Sequence, residues 1–360
     1  MPAELFSVEQ VERARRYHRP LYVALLLDVT LGLAVLSVLA FTRVGSWLYD
    51  AVPGAAFSAL VVALSATVRL PLAFWRGHVH EQRWGFSTQS ARGWLVDRVK
   101  RLAVTLVLTS GAVLGLAALA RWLPSRWPLV AAPAAAVFVL LVGFAAPVVL
   151  EPLFNRFAPL RDEELADRLR ALARRAGVPV RDVLVADASR RTRKVNAYVS
   201  GLGATRRVVL FDTLLRGAGP RQVELVVAHE LGHRSARHVA KGTLVGMLGA
   251  AATVAVLWAL VSHPGDLRNA PTVLLVVAAL ELAALPAGAA LSRRWEREAD
   301  HFSLDVTQDV DAFETAHRDL AAANLGDLDP PRSVYALLFT HPTAPERIAA
   351  GRAWARGTVD

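Results

Sequence analysis

Residues 222–262 read QVELVVAHELGHRSARHVAKGTLVGMLGAAATVAVLWALVS, and this stretch decides how the rest of the chain is understood. The first half has a helical pattern with no internal proline and contains His229-Glu230-Leu231-Gly232-His233. The second half, from about residue 243, stays apolar for roughly 20 residues, the length a helix needs to cross a bilayer. A polar helix over 222–239 thus runs almost directly into a membrane span and is predicted to dock at the membrane surface. Histidines four apart project from one helical face and can converge on one ion. Glu230, beside the first of them, is placed to take a proton from ion-bound water.

Composition supports the membrane reading. Of 360 residues 54% are hydrophobic, against about 45–50% in ordinary soluble domains, and the mean hydropathy is +0.35. There is no cysteine, which excludes disulfides, iron–sulfur clusters and thiolate metal sites, so any transition metal is held by His, Asp or Glu. Spans are predicted at 21–42, 55–75, 103–123, 128–150, 243–262 and 272–292, making six. The first twenty residues carry Glu9, Arg13, Arg15, Arg16 and Arg19 without a short apolar core, so they read as a cytosolic lead-in and not a signal peptide.

The net charge of +10 is almost entirely arginine. It flanks the spans, which points to a membrane surface and away from nucleic acid. Arg13 to Arg19 precede the first span, and Arg76, Arg83, Arg92, Arg98, Lys100 and Arg101 lie between the second and third. The alternate loops hold only Arg43, then Arg121 and Arg126, then Arg268. Both termini and the segment 151–242 are therefore predicted to be cytoplasmic. Asp28 and Arg69 fall at similar depths on oppositely directed spans and are expected to pair. Glu281, mid-span without an evident partner, suggests a polar interior.

The cytoplasmic insert reads as mixed α/β. Residues 162–176 place Leu165, Leu169 and Leu172 at helical spacing and stop at Gly177. A strand is expected at 183–186, and a hairpin pairs 195–199 with 207–211 around Gly201-Leu202-Gly203. A further helical region follows the last span. A metal site of this kind needs a third protein ligand. The extended pattern with a third histidine fails, because Ala236 and Val239 occupy its positions, and His238 reads as a surface residue. Glu296 and Asp300, one turn apart on one face, offer a ligand together with a carboxylate to orient a ligating histidine.

Several separate segments together resemble the CAAX prenyl protease 1 family of membrane zinc endopeptidases. They are 81–89 (EQRWGFSTQ) with Asp97 and Lys100, 152–157 (PLFNRF) with Pro159 and Leu160, Asn196-Ala197-Tyr198, 208–215 (VVLFDTLL), HELGH, 296–300 (EREAD), and His341-Pro342 with Glu346-Arg347. The resemblance covers nearly the whole chain. It implies one Zn²⁺ on His229, His233 and Glu296, with Asp300 as an outer partner of a histidine. It also implies that Asn196 and Ala197 lie on an edge strand that holds substrate, and that His341 and Arg347 stabilise the oxyanion. Glu298 points roughly 200° around the helix from Glu296 and is expected to be dispensable for metal binding. The family typically has seven spans; the first has no counterpart here, as in a bacterial relative lacking it.

The expected fold is a mainly α multi-span membrane protein with an interleaved cytoplasmic α+β protease part. Its sections are 1–20 (cytoplasmic), 21–150 (four spans with the loop 76–102), 151–242 (catalytic), 243–292 (two spans) and 293–360 (completing the site). The expected activity is a zinc metalloendopeptidase of the cell (inner) membrane with its site on the cytoplasmic side. It would cut extended peptides or membrane-associated proteins by zinc-activated water, with Glu230 as general base. A membrane metalloprotease of the HtpX quality-control type has fewer spans and lacks the Gly85-Phe86 match. An inactive zinc scaffold sits poorly with an intact Glu230, and no paired repeat or broken-helix pattern supports a transporter.

Overall fold

The computed structural model describes residues 5–201 and 206–357. The Leu202-Gly203 part of the expected turn lies outside them. Helix α1 (Val8–Phe41) opens on a capping box in which Ser7 and Gln10 satisfy each other's backbone N–H groups. The next span is not one straight helix. α2 (Ala55–Val68) is followed by the helical run Leu70–Arg83 at a bend of 54°. Pro71 explains the break, since it lacks an N–H and its ring opposes the carbonyl one turn back. Arg69 sits at the corner, where its guanidinium donates to Asp28 on α1 at 2.9 Å across the backbone of Gly32. The expected pair is formed, and Arg76 also comes within 3.8 Å of the same carboxylate. Glu281 is exposed on its helix.

The remaining spans are α3 (Ala91–Trp122), α4 (Trp127–Ala145) continued by a π-helical segment Ala146–Leu150 and a last α-helical turn to Phe154, then two helices after the insert. Among the described residues five helices are long and apolar enough to cross a membrane, and the bent pair makes a sixth. Leu26, Val107, Leu141, Leu248 and Trp258 stand exposed along them, as side chains facing lipid must.

Between α4 and the last two spans lies a four-stranded sheet of order β1-β2-β4-β3, with β1 Phe157–Pro159, β2 Asp182–Ala186, β3 Ala197–Ser200 and β4 Arg207–Phe211. β2 and β4 run parallel, and the expected β3–β4 hairpin is present with Ala197 opposite Leu210. β1 escapes prediction because three residues carry no alternation. α5 (Glu163–Arg175) is capped by Asp162 and released at Gly177, where φ is +66°. Its leucines 165, 169 and 172 pack with Val183, Val208 and Leu210 of the sheet and with Val223, Val227 and Leu231 of α6 (Pro220–Ser235).

α6 does not reach Val239 as the periodicity implied. Arg237 turns left-handed at φ +57°, and α7 (His238–Leu260) starts immediately after it. Left-handed backbone is usually marked by glycine, so an arginine there gives no warning in the sequence. α8 (Ala270–Thr307) is one unbroken rod, about 57 Å long at 1.5 Å per residue, which joins the last span to the carboxylates of Glu296 and Asp300. α9 (Val310–Asn324) and α10 (Ala344–Ala355) pack against each other at the C-terminal end of the chain's described part.

Candidate metal centre

The site is made where α6 crosses α8. Their backbones meet at Gly232 and Ala299, and a Cβ on Gly232 would lie 3.0 Å from Ala299 Cα and 3.1 Å from its carbonyl oxygen. This close approach brings His229 and His233 over the Glu296 carboxylate. His229 Nε2 is 3.2 Å from Glu296 Oε2, and His233 Nε2 is 3.2 Å from Glu296 Oε1. The two Nε2 atoms are 3.1 Å apart, and one atom from each of the three residues falls within a 4.8 Å cluster.

The outer nitrogens of both rings are held. His229 Nδ1 is 2.8 Å from Asp300 Oδ1. Asp300 is gripped on both oxygens by Arg347, with Nε donating to Oδ2 at 2.8 Å and Nη2 to Oδ1. Buried His317 lies 3.9 Å from Asp300, and burial pushes its imidazole well below the usual range, so it is a neutral neighbour. His233 Nδ1 meets His238 Nδ1 at 3.0 Å, and His238 Nε2 meets Glu298 Oε2 at 3.1 Å. His238 is not the expected surface residue. It is 4% exposed and stacks on Trp295 at 5.1 Å. In a continuous helix it would point about 140° away from His233, and the left-handed step at Arg237 turns it back. Glu298 is remote from the cluster, as its spacing implied, yet it ends this chain.

The donor set fits a zinc ion. With Asp300 facing Nδ1 of His229 and His238 facing Nδ1 of His233, the two Nε2 atoms are turned toward each other and toward the Glu296 carboxylate. Glu296 Oε2 is buried and receives no hydrogen bond. Such a convergence of acceptors is balanced by a cation, and two imidazoles with one carboxylate leave zinc an open fourth position.

Glu230 lines a cleft of about 510 Å³ together with Val195, Asn196, His341 and Arg347. Burial holds its carboxyl above the usual carboxylate range, partly countered by the imidazoles of His229 and His233. His341, 60% exposed, places Nε2 3.3 Å from Glu296 Oε1 at the cleft mouth. β3 is the sheet edge beside this cleft. Asn196 precedes the strand, and its carbonyl accepts from Phe211 N. Because 196 and 211 are a hydrogen-bonded pair, Ala197 opposite Leu210 turns its N–H and C=O outward. The Ala197 N–H is occupied by Asn196 Oδ1 at 2.9 Å. Further along, Val199 O accepts from Arg234 at 3.2 Å, a closure of the edge that the sequence did not suggest.

Fold and site together define an integral-membrane metalloprotease. The profile of peptidase family M48 matches residues 159–355, and that of the CAAX prenyl protease N-terminal region, five membrane helices, matches residues 2–156. The chain belongs to peptidase family M48. It is 29% identical to the uncharacterized metalloprotease YhfN of Bacillus subtilis over 96% of this chain and 85% of that protein. It is 32% identical to CAAX prenyl protease 1 of Saccharomyces cerevisiae, across 53% of this chain and 43% of the yeast protein. The crystal structure of S. mikatae Ste24p superposes with a TM-score of 0.77 at 23% identity, covering 96% of this chain and 89% of that one. That last likeness concerns the fold.

Proposed function

We propose that this chain is a zinc endopeptidase that hydrolyses extended peptides at the cytoplasmic face of the cell membrane, with one ion held by His229, His233 and Glu296. The convergence of those three side chains in one 4.8 Å cluster beside Glu230 carries the reading. When bound, zinc supplies Lewis acidity at the scissile carbonyl and lowers the pKa of a coordinated water.

The chain's own residues do the rest. Asp300 accepts the Nδ1 proton of His229 and keeps Nε2 free for the ion, and Arg347 holds Asp300 in register by a two-point grip. Glu230 is the general base that accepts the water proton and returns it to the leaving amine, a role suited to a carboxyl whose pKa burial has raised. His341 at the mouth and Arg347 at the wall supply positive charge or donors to the developing oxyanion. The substrate backbone is added alongside Asn196, which lines the cleft, and Ala197, which starts β3, and Arg234 ends that strip at Val199. Orientation follows from the arginine-rich loops on the side that carries the cleft.

The test is cleavage of a quenched fluorescent peptide by the purified full-length protein. A strong chelator should abolish cleavage and stoichiometric zinc should restore it. Cleavage untouched by chelation, with metal loss verified by elemental analysis, would refute the reading.

A further inference from the structure

A second cavity, about 1200 Å³, lies between α1, the bent span, α3 and the loop at Thr192–Asn196. It is not a separate chamber. Val195, Asn196, Asn324 and His341 line both spaces, so a peptide in the cleft has this cavity as its continuation.

The charge of the cavity is unbalanced. Its walls carry Arg69, Arg76, Arg98, Arg101 and Lys194 against only Asp28 and Glu81. Both carboxylates are already engaged. Asp28 takes Arg69 at 2.9 Å and Arg76 at 3.8 Å, and Glu81 takes Lys194 at 2.9 Å and the Tyr17 hydroxyl at 2.5 Å. Arg98 and Arg101 form no ion pair among the described residues, and Arg101 has only the face of Phe154 at 5.9 Å. Cations gathered in a recess walled by apolar helices repel one another, and such a recess concentrates anions. Guanidinium is the group best shaped to take a carboxylate by paired hydrogen bonds.

We propose that this cavity is a subsite for a carboxylate carried by the substrate in the segment flanking the scissile bond, with Arg98 and Arg101 as its partners. The inference rests on the peptidase reading and deepens it by naming a substrate class. The carboxylate comes from an acidic side chain or from the chain's own C-terminus. A lipid phosphate has matching charge, but a headgroup seated there would fill the continuation of the cleft, and the shared walls favour the peptide.

The test uses the zinc-loaded full-length Glu230→Gln protein in nanodiscs of neutral phosphatidylcholine. Fluorescence anisotropy reads the affinity of matched peptides: one neutral and C-terminally amidated, one series with a single Glu moved along the flank and amidated, and one neutral with a free C-terminus. The expected result is about tenfold tighter binding of a carboxylate peptide over the neutral one. The preference should shrink at high salt and fall to within twofold in Arg98→Gln/Arg101→Gln. Which peptide series shows the gain identifies the source of the carboxylate. Metal content and melting temperature check the folding of the variant, and Arg98→Lys, which keeps the charge, should retain part of the preference if the double variant does not fold. Equal affinities for all peptides would overturn the proposal. So would a preference that survives the double substitution, or, in matched nanodiscs that also contain anionic phosphatidylglycerol, loss of the preference together with saturable binding of that lipid. Hydrolysis of the neutral peptide by the wild type separates the two levels, since its failure would count against the peptidase reading itself.

Discussion

Gly232→Ala tests whether the close crossing of α6 and α8 is what brings the candidate ligands together. A Cβ at this position would fall 3.0 Å from Ala299 Cα, 3.1 Å from Ala299 O and 3.2 Å from Phe302 Cβ, whereas ordinary contact starts at 3.4 Å. Two of these three atoms are backbone, so relief requires the helices to part by about 0.4 Å. That exceeds the roughly ±0.2 Å within which zinc–ligand distances are held. One helix carries both histidines and the other Glu296, so the displacement falls directly on the ligand set. Alanine gains about 1 kcal/mol over glycine in helix propensity, while overpacking costs about 1–3 kcal/mol. The metal-free protein should therefore lose no more than about 2 kcal/mol. Zinc affinity should fall tenfold or more. Competition with a chelator of known affinity, alongside melting curves of the metal-free protein, reads both quantities. Gly249→Ala is the control, because nothing lies within 4 Å of its Cβ position. Unchanged zinc affinity in Gly232→Ala, with a melting temperature equal to or above that of the wild type, would refute the reasoning.

Glu298→Ala should weaken zinc binding by roughly 10–100-fold, because it unties His238 and through it His233; Glu298→Gln, which still offers an acceptor, should recover most of the affinity, and chelator competition distinguishes them. Glu296→Ala should lose tightly bound zinc altogether, read by elemental analysis of the purified protein, while retaining its helical circular dichroism. Chelation should lower the wild-type melting temperature, since an ion present at about 1,000 times its Kd contributes about 4 kcal/mol, and the same treatment should leave Glu296→Ala unmoved.

The parts of this molecule that were legible in the sequence are those with a period or a length. Roughly twenty apolar residues mark a span wherever they stand, and histidines four apart mark a helical face. Asp28 and Arg69 could be paired by depth alone. What was hidden depends on single backbone steps and on crossings between distant elements. The left-handed turn at Arg237 carries no glycine, so the periodicity of the sequence carries α6 through to Val239 and puts His238 on the surface, where the structure buries it. Glu298 looked idle because its face of α8 avoids the cluster, and only the returned imidazole of His238 gives it a partner. The closing of the β3 edge by Arg234 needs three-dimensional contact to be seen. So does the shortfall of carboxylates beside Arg98 and Arg101, whose neighbours come from α1, the bent span and the loop before β3.

The central claim is that Glu230 moves the proton while His229, His233 and Glu296 hold the ion. It is tested most directly by measuring peptide cleavage and bound zinc in the same preparations of wild type and Glu230→Gln. The account predicts equal zinc, about one ion per chain, and cleavage reduced by at least about 100-fold in the variant. Cleavage within a few-fold of wild type at equal zinc would contradict it.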